Sequence, residues 1–423
     1  MAHEANSRPL GGAAARALEA LRGSEAARYA VRAFALSRLA VLAVAVFAAL
    51  TAAPGGINEG NAERYGDARL THSVGGVGDE LLAPLARWDS VWYLRIADSG
   101  YGEDEHRAAF FPLYPLAVRS LGELGGGSPG ARLVTAYLIS LAAFLGALYF
   151  FHRLVTLELG RRVAWPAVLL LSLFPASLFF GAPYSESLFL LFSVGAFYAA
   201  RSDRWAWAGA CAAFAAATRS SGILLVLPLA LLWWQEPRDK RGAWILLGPL
   251  GLAAYSAYLG LEHGDALAFT RVQEAWFREF AGPLGGIWDA TVAAVDGLRQ
   301  LLSGSREHVY FEQAGGDPFR VASMNVMLFG FLVFAITAAV GVVRRLPAAY
   351  GLWMGAALVL PLSFPVGPQP LMSFPRFLAV LFPVFMWLAL VSEERRWTPG
   401  VAGLFGVGLG LFTTQFAVWQ FVA

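Results

Sequence analysis

The stretch Arg87-Trp88-Asp89-Ser90-Val91-Trp92-Tyr93 sets one carboxylate among a guanidinium and three aromatic rings. A carboxylate in such surroundings loses solvation and becomes a stronger base, suited to taking a proton from a sugar hydroxyl. The same Asp89 would equally serve as cap of the helix that Asp98-Ser99-Gly100 brings to a stop. Tyr184, Ser185 and Glu186 open a later apolar run. The unpaired N–H groups of a helix start attract phosphate, and an acidic residue there also complements the helix dipole. Arg219, in Ala217-Thr218-Arg219-Ser220-Ser221-Gly222, and Arg376, in Ser373-Phe374-Pro375-Arg376-Phe377, stand in short connections at the edge of apolar runs. A lone charge at that depth is costly, and an anionic partner relieves it; reaching to lipid headgroups is the alternative. Weaker candidates are Asp98, the acidic cluster Glu103-Asp104-Glu105 beside His106, and His263, Asp265, Gln273, Glu274 and Trp276.

The elements that must hold these residues are read from composition. Hydrophobic residues make up 57% of the 423 and charged ones 15%, where a soluble domain carries roughly 25% charged. Apolar runs of about twenty residues, the length that crosses roughly 30 Å of hydrocarbon, recur along the chain. They predict an all-α polytopic membrane protein of about eleven helices, near 31–53, 131–151, 163–180, 186–200, 205–217, 222–234, 243–260, 321–343, 347–366, 375–392 and 398–420. Short connections carrying Arg153, Arg161, Arg162, Arg201, Arg204, Arg238, Lys240, Arg241, Arg344, Arg345, Arg395 and Arg396 fall on one side, which the positive-inside rule makes the cytoplasm. That parity puts the long connections 54–130 and 262–320 outside, with amphipathic interfacial helices expected at Arg87 to Ser99 and Ala268 to Phe280.

A net charge of +2 without a basic stripe argues against nucleic acid as a partner. Cys211, the one cysteine, permits no intrachain disulfide and no thiolate metal site. Residues 1–30 read as a basic cytoplasmic tail ahead of a retained first span, so the expected setting is an integral membrane, with a single membrane domain over 31–423. Absence of internal repeats and scarcity of charge within the spans argue against an ion-coupled transporter.

Taken in order, Arg87-Trp88-Asp89 with Trp92-Tyr93, Phe110-Phe111-Pro112-Leu113-Tyr114-Pro115, Pro183-Tyr184-Ser185-Glu186-Ser187, Arg219-Ser220-Ser221-Gly222 and Pro375-Arg376-Phe377 form a set that resembles the PIG-V type mannosyltransferases. The likeness runs over about residues 31–395 and is closer to the family's prokaryotic branch; Arg87 and Ser221 stand where eukaryotic members carry His and Asn, a departure that bears on the acceptor. It implies a GT-C type fold, with Asp89 as catalytic base in the first outer loop. It also implies a polyprenyl-phosphate sugar as donor, held by Arg219, Arg376 and Glu186 with Arg87, Trp88, Trp92, Tyr93 and Tyr184 alongside, and a lipid or glycan acceptor. No nucleotide, cofactor or tightly bound metal is called for. A non-catalytic flippase or exporter of a polyprenyl-linked glycan is the rival reading, and large loops on one side only favour the enzyme.

Overall fold

The structure is a computed structural model describing residues 24–52, 58–235, 240–307, 309–310 and 317–422. Among them the backbone forms helices and one isolated antiparallel bridge, Arg278 with Val366. Of the expected tail, residues 1–23 lie outside the described residues, as does Arg238, and the chain is helical from Glu25. The principal helices are α1 (Glu25–Thr51), α2 (Asp89–Ser99), α3 (Pro129–Leu159), α4 (Arg161–Leu173), α5 (Glu186–Arg201), α6 (Trp205–Thr218), α7 (Val226–Gln235), α8 (Leu250–Glu262), α9 (Gly282–Ser303), α10 (Pro318–Arg345), α11 (Ala348–Ser363), α12 (Phe374–Ala379), α13 (Phe382–Arg395) and α14 (Thr398–Ala417).

Every predicted apolar interval overlaps one or two helical segments among the described residues. Among the described residues five segments are long and apolar enough to cross a membrane singly: α1, α3, Lys240–Glu262, α10 and α14. The others are shorter, and a 14-residue helix such as α6 rises only about 21 Å. The chain is an integral, multi-pass membrane protein whose short helices lie among longer neighbours. Local chemistry sets many of the ends. Ser128 accepts from the Ala131 N–H with Pro129 at the first position of α3, and Asp317 accepts from the Phe319 N–H with Pro318 opening α10.

The basic connections gather at one end of the bundle, tied by ion pairs between helix termini. Arg201 at the end of α5 meets Glu158 at the end of α3 at 2.5 Å, Arg162 meets Glu393 at 3.4 Å, and Arg345 pairs with Glu394. Asp89, Glu186, Arg219 and Arg376 all lie at the other end.

One charge inside the bundle carries structure toward that end. Pro175 stops α4, and the chain continues as a 3-10 turn, Pro175–Phe180, whose carbonyls lack ordinary helical partners. Arg38, midway along α1 and 7% exposed, donates to the Ser177 carbonyl at 2.7 Å, the Ser177 hydroxyl at 3.1 Å and the Ser172 carbonyl at 3.4 Å. Its guanidinium also lies 4.8 Å from the Phe144 ring centroid. In hydrocarbon such carbonyls have no water to turn to. Arg38→Leu is therefore expected to destabilise the protein by about 2–3 kcal/mol, read as a lower midpoint in detergent thermal unfolding; an unchanged midpoint would show the turn stands without it. The charge scarcity expected of the spans holds with this exception, visible in the sequence as the single guanidinium in the middle of an apolar run.

The second long connection departs from expectation. Instead of an interfacial helix over Ala268 to Phe280, one turn of helix at Ala268–Arg271 passes into a 3-10 turn, Val272–Trp276, which ends at Phe277 in the left-handed conformation with φ +57°. The backbone then runs extended to pair Arg278 with Val366. Tertiary pairing overrides a helical periodicity only a few turns long. The long helix of this region is α9, unanticipated, which packs on α10 and α11. A Cβ on Gly286 would meet the Leu362 carbonyl oxygen at 1.8 Å and one on Gly297 the Ala322 carbonyl oxygen at 2.8 Å, so glycine allows the close approach.

Candidate active site

Asp89 is the first residue of α2, and the residue before it is strained. Trp88 has φ +56° and ψ −120°, a region L side chains rarely adopt. Packing enforces it: the Trp88 ring sits between Tyr65 at 5.1 Å, Trp419 at 5.6 Å and Phe421 at 5.4 Å between centroids. The segment beyond α14 thus folds back over the first long connection, with the Asn58 N–H donating to the Val418 carbonyl and the Asn61 amide to Trp419. Asp89 itself makes no side-chain cap, so its carboxylate is free for other work.

That carboxylate meets Arg376. Arg376 Nη1 lies 2.5 Å from Asp89 Oδ2, across 287 residues of sequence. Arg376 Nε lies 3.2 Å from Glu186 Oε1, and Arg219 Nη1 reaches the same oxygen at 2.6 Å. The four groups form one chain, Asp89 to Arg376 to Glu186 to Arg219. The Glu186 side chain is 1% exposed, Arg376 12% and Arg219 17%, whereas Asp89 is 30% exposed and forms the accessible edge. Buried charges of this kind persist only when paired, and the arrangement meets that need from within. Two atoms are exceptions: Glu186 Oε2 and Arg376 Nε are buried without a hydrogen-bond partner, the latter in ion-pair contact only.

Each member is delivered by a feature of its own segment. Glu186 opens α5, where the helix dipole favours a carboxylate. Arg219 follows the last residue of α6, and Gly222 lets the chain double back at once: a Cβ there would lie 2.2 Å from the Ala215 carbonyl carbon. Pro375 starts the short helix α12 that carries Arg376.

The remaining predicted residues surround this core. Tyr184, buried, bridges two segments: its hydroxyl donates to the Arg87 carbonyl at 3.1 Å and accepts from the Asp89 N–H at 3.2 Å. The Tyr93 hydroxyl bonds Ser185 at 2.7 Å. These two tyrosines lock the start of α2 to the start of α5. Arg87 does not join the guanidinium group; its Nε donates to the Pro84 carbonyl at 3.2 Å and its guanidinium lies 4.8 Å from the Trp419 ring centroid. Burial lowers the Arg87 pKa to about 10. Trp92, half-buried, stacks on Phe110 at 5.6 Å and meets the edge of Trp276 at 6.0 Å, one turn of helix from Asp89. Asp98 is taken up by Arg132 at 2.6 Å and Arg69 at 3.0 Å, Asp104 by His106 at 3.0 Å, and Asp265 by Arg271 at 2.9 Å.

One cation of the site had no place in the sequence reading. Arg278, on the extended segment after the Val272–Trp276 turn, presents its guanidinium 5.8 Å from the Phe377 ring centroid, and those of Arg219 and Arg376 lie 5.4 and 5.6 Å from the same centroid. In the sequence it is one of several charges, beside Glu279 and near Arg271 and Glu274, in a stretch read for helical spacing, so nothing there set it apart.

Fold and site together define a polytopic all-α membrane protein with a cluster of arginines and carboxylates at one end of its bundle. Residues 28–232 match the family described as Mannosyltransferase (PIG-V). Among relatives, the GPI alpha-1,6-mannosyltransferase 2 of Rattus norvegicus is 34% identical over 215 residues, 48% of this chain and 43% of that protein. The protein of the same name from Homo sapiens is 35% identical over 179 residues, 40% of this chain and 36% of that one. The matches thus span under half the length of these relatives. Among solved structures, the oligosaccharyltransferase of Archaeoglobus fulgidus tethered with an acceptor peptide superposes on 90% of this chain and 55% of its own, with a TM-score of 0.44 and 12% identity. The likeness to the PIG-V type mannosyltransferases is carried by a region that contains Asp89, Glu186 and Arg219.

Proposed function

We propose that this protein is an inverting glycosyltransferase that moves a hexose, mannose by family, from a polyprenyl-phosphate sugar to the hydroxyl of a lipid-linked or glycan acceptor at the outer face of the membrane. The observation that carries the reading is the convergence of a partly exposed carboxylate, Asp89, with two guanidiniums, Arg376 and Arg219, from distant parts of the chain. In the reaction the acceptor oxygen attacks the anomeric carbon, its proton passes to Asp89, and the bond from that carbon to the phosphate oxygen breaks, its electron pair leaving with polyprenyl phosphate. Stabilising the charge that grows on the leaving phosphate is worth about 3–4 kcal/mol for one well-placed donor. The Arg376 guanidinium is suited to that task once it turns from Asp89 to the phosphate, a move that also frees the base. Glu186 would keep hold of Arg376 through Nε.

Basic residues concentrated at the opposite end favour the outer face for the site, by the positive-inside rule. The test is direct. Purified protein given a synthetic polyprenyl-phosphate mannose and a panel of lipid and glycan acceptors should release polyprenyl phosphate in step with product. Binding of the donor without release, under any acceptor, would turn the reading to a lipid carrier.

A further inference from the structure

We infer that Arg278 is a third ligand of the donor phosphate, a cation that the loop before α9 contributes to the site formed by Asp89, Glu186, Arg219 and Arg376; the inference rests on the function proposed above. Three observations lead there. The guanidiniums of Arg219, Arg278 and Arg376 surround one ring, Phe377, at 5.4, 5.8 and 5.6 Å from its centroid. Among the described residues the other two make ion pairs with carboxylates, whereas Arg278 feels Asp89 only at longer range and makes no ion pair; its one side-chain hydrogen bond is to the Phe364 carbonyl, 3.3 Å from Nη1. A guanidinium carries five N–H donors, so most of its hydrogen-bonding capacity is unused.

Charge balance gives the third. The cluster holds three guanidiniums against two carboxylates, one positive charge in excess in a half-buried setting. A phosphodiester, with its single negative charge, neutralises that excess, and the fork of N–H groups matches its oxygens. Burial and the neighbouring Arg376 and Arg219 bring the Arg278 pKa down to about 10, against the opposing pull of Asp89.

Its position is fixed through the backbone. Arg278 bridges Val366 in antiparallel fashion, the Ala281 N–H donates to the Ser363 carbonyl at 2.9 Å, and the Phe280 and Phe364 rings pack at 5.4 Å. The loop is thereby clamped to the segment that leads into α12 and Arg376, so the second long connection is part of the site rather than a cover over it.

The experiment uses the full-length protein in lipid nanodiscs with the variants R278K and R278Q. Steady-state transfer is measured with polyprenyl-phosphate mannose, and equilibrium binding with polyprenyl phosphate alone, followed by intrinsic tryptophan fluorescence. Lysine keeps the charge; glutamine keeps a donor for the Phe364 carbonyl without it. If Arg278 binds phosphate, R278Q raises the KM for donor and the Kd for polyprenyl phosphate about tenfold, a loss of about 1.4 kcal/mol, while the KM for acceptor stays put and R278K recovers most of the affinity. Equal values for R278Q and the unmodified protein, or equal impairment of both variants with lowered melting temperature, would reduce Arg278 to a structural role. Should the unmodified protein bind polyprenyl phosphate through Arg278 yet transfer no sugar, the anion site stands and the enzyme reading alone falls.

Discussion

Asp89→Asn is expected to abolish sugar transfer, lowering kcat by roughly 10²–10⁴-fold as removal of a general base does, while leaving the protein folded and its grip on the donor at least as strong as before. The two halves of this expectation have separate causes. Asparagine cannot accept the acceptor proton, so chemistry stops. Asp89 is also paired with Arg376, at 2.5 Å, and so competes with the phosphate for it. Removing its charge raises the excess of guanidinium over carboxylate from one to two, and the Kd for polyprenyl phosphate should fall. Stability changes little, because the Asp89 side chain is 30% exposed and an ion pair in contact with solvent contributes modestly. Single-turnover transfer and phosphate-lipid binding on the same preparation read both halves. Transfer at more than a tenth of the unmodified rate would remove Asp89 as the base, and weakened lipid binding would remove the competition with phosphate.

Arg376→Ala should be the most damaging single change to the site as a whole. Arg376 alone touches both carboxylates, Asp89 through Nη1 and Glu186 through Nε. Its loss leaves the growing phosphate charge without its principal donor, a cost of about 10²–10³ in kcat. It also leaves Glu186, 1% exposed, with Arg219 as its one counter-charge. Breaking a buried pair costs about 3–5 kcal/mol, and the surviving Arg219 contact places the effect at the lower end of that range. Arg376→Lys should recover little, because one ammonium on a flexible stem cannot span two carboxylates held by separate nitrogens of a planar fork. Transfer rates and detergent melting curves of the two variants are the check. If Arg376→Lys restores the rate, the site needs a positive charge at this position and not its bidentate geometry.

Much of this is legible in the sequence. The apolar runs and the clustering of arginine in short connections determine a membrane-embedded helical bundle with two kinds of end, because hydrocarbon excludes unpaired backbone and charge from its interior. Asp89, Glu186, Arg219 and Arg376 each announced themselves as charges at the margins of apolar runs, where only a partner or a ligand makes them affordable. The interval 163–180, read as one run, breaks at Pro175, and that at 375–392 divides into α12 and α13, which only the structure shows.

Tertiary structure decided who meets whom. Which carboxylate takes which guanidinium across 287 residues, why Arg87 turns to Trp419 rather than to the cluster, and how the segment after α14 holds Trp88 in a strained backbone all depend on contacts between remote segments. The same holds for Arg278, which enters the site because a stretch of helical periodicity gives way to an extended bridge with Val366. Local sequence fixes the energy of a residue in water, in lipid or at a helix end, and those preferences were readable one residue at a time. A pairing energy belongs to two segments together, and it comes into being only after packing has brought them within a few ångströms.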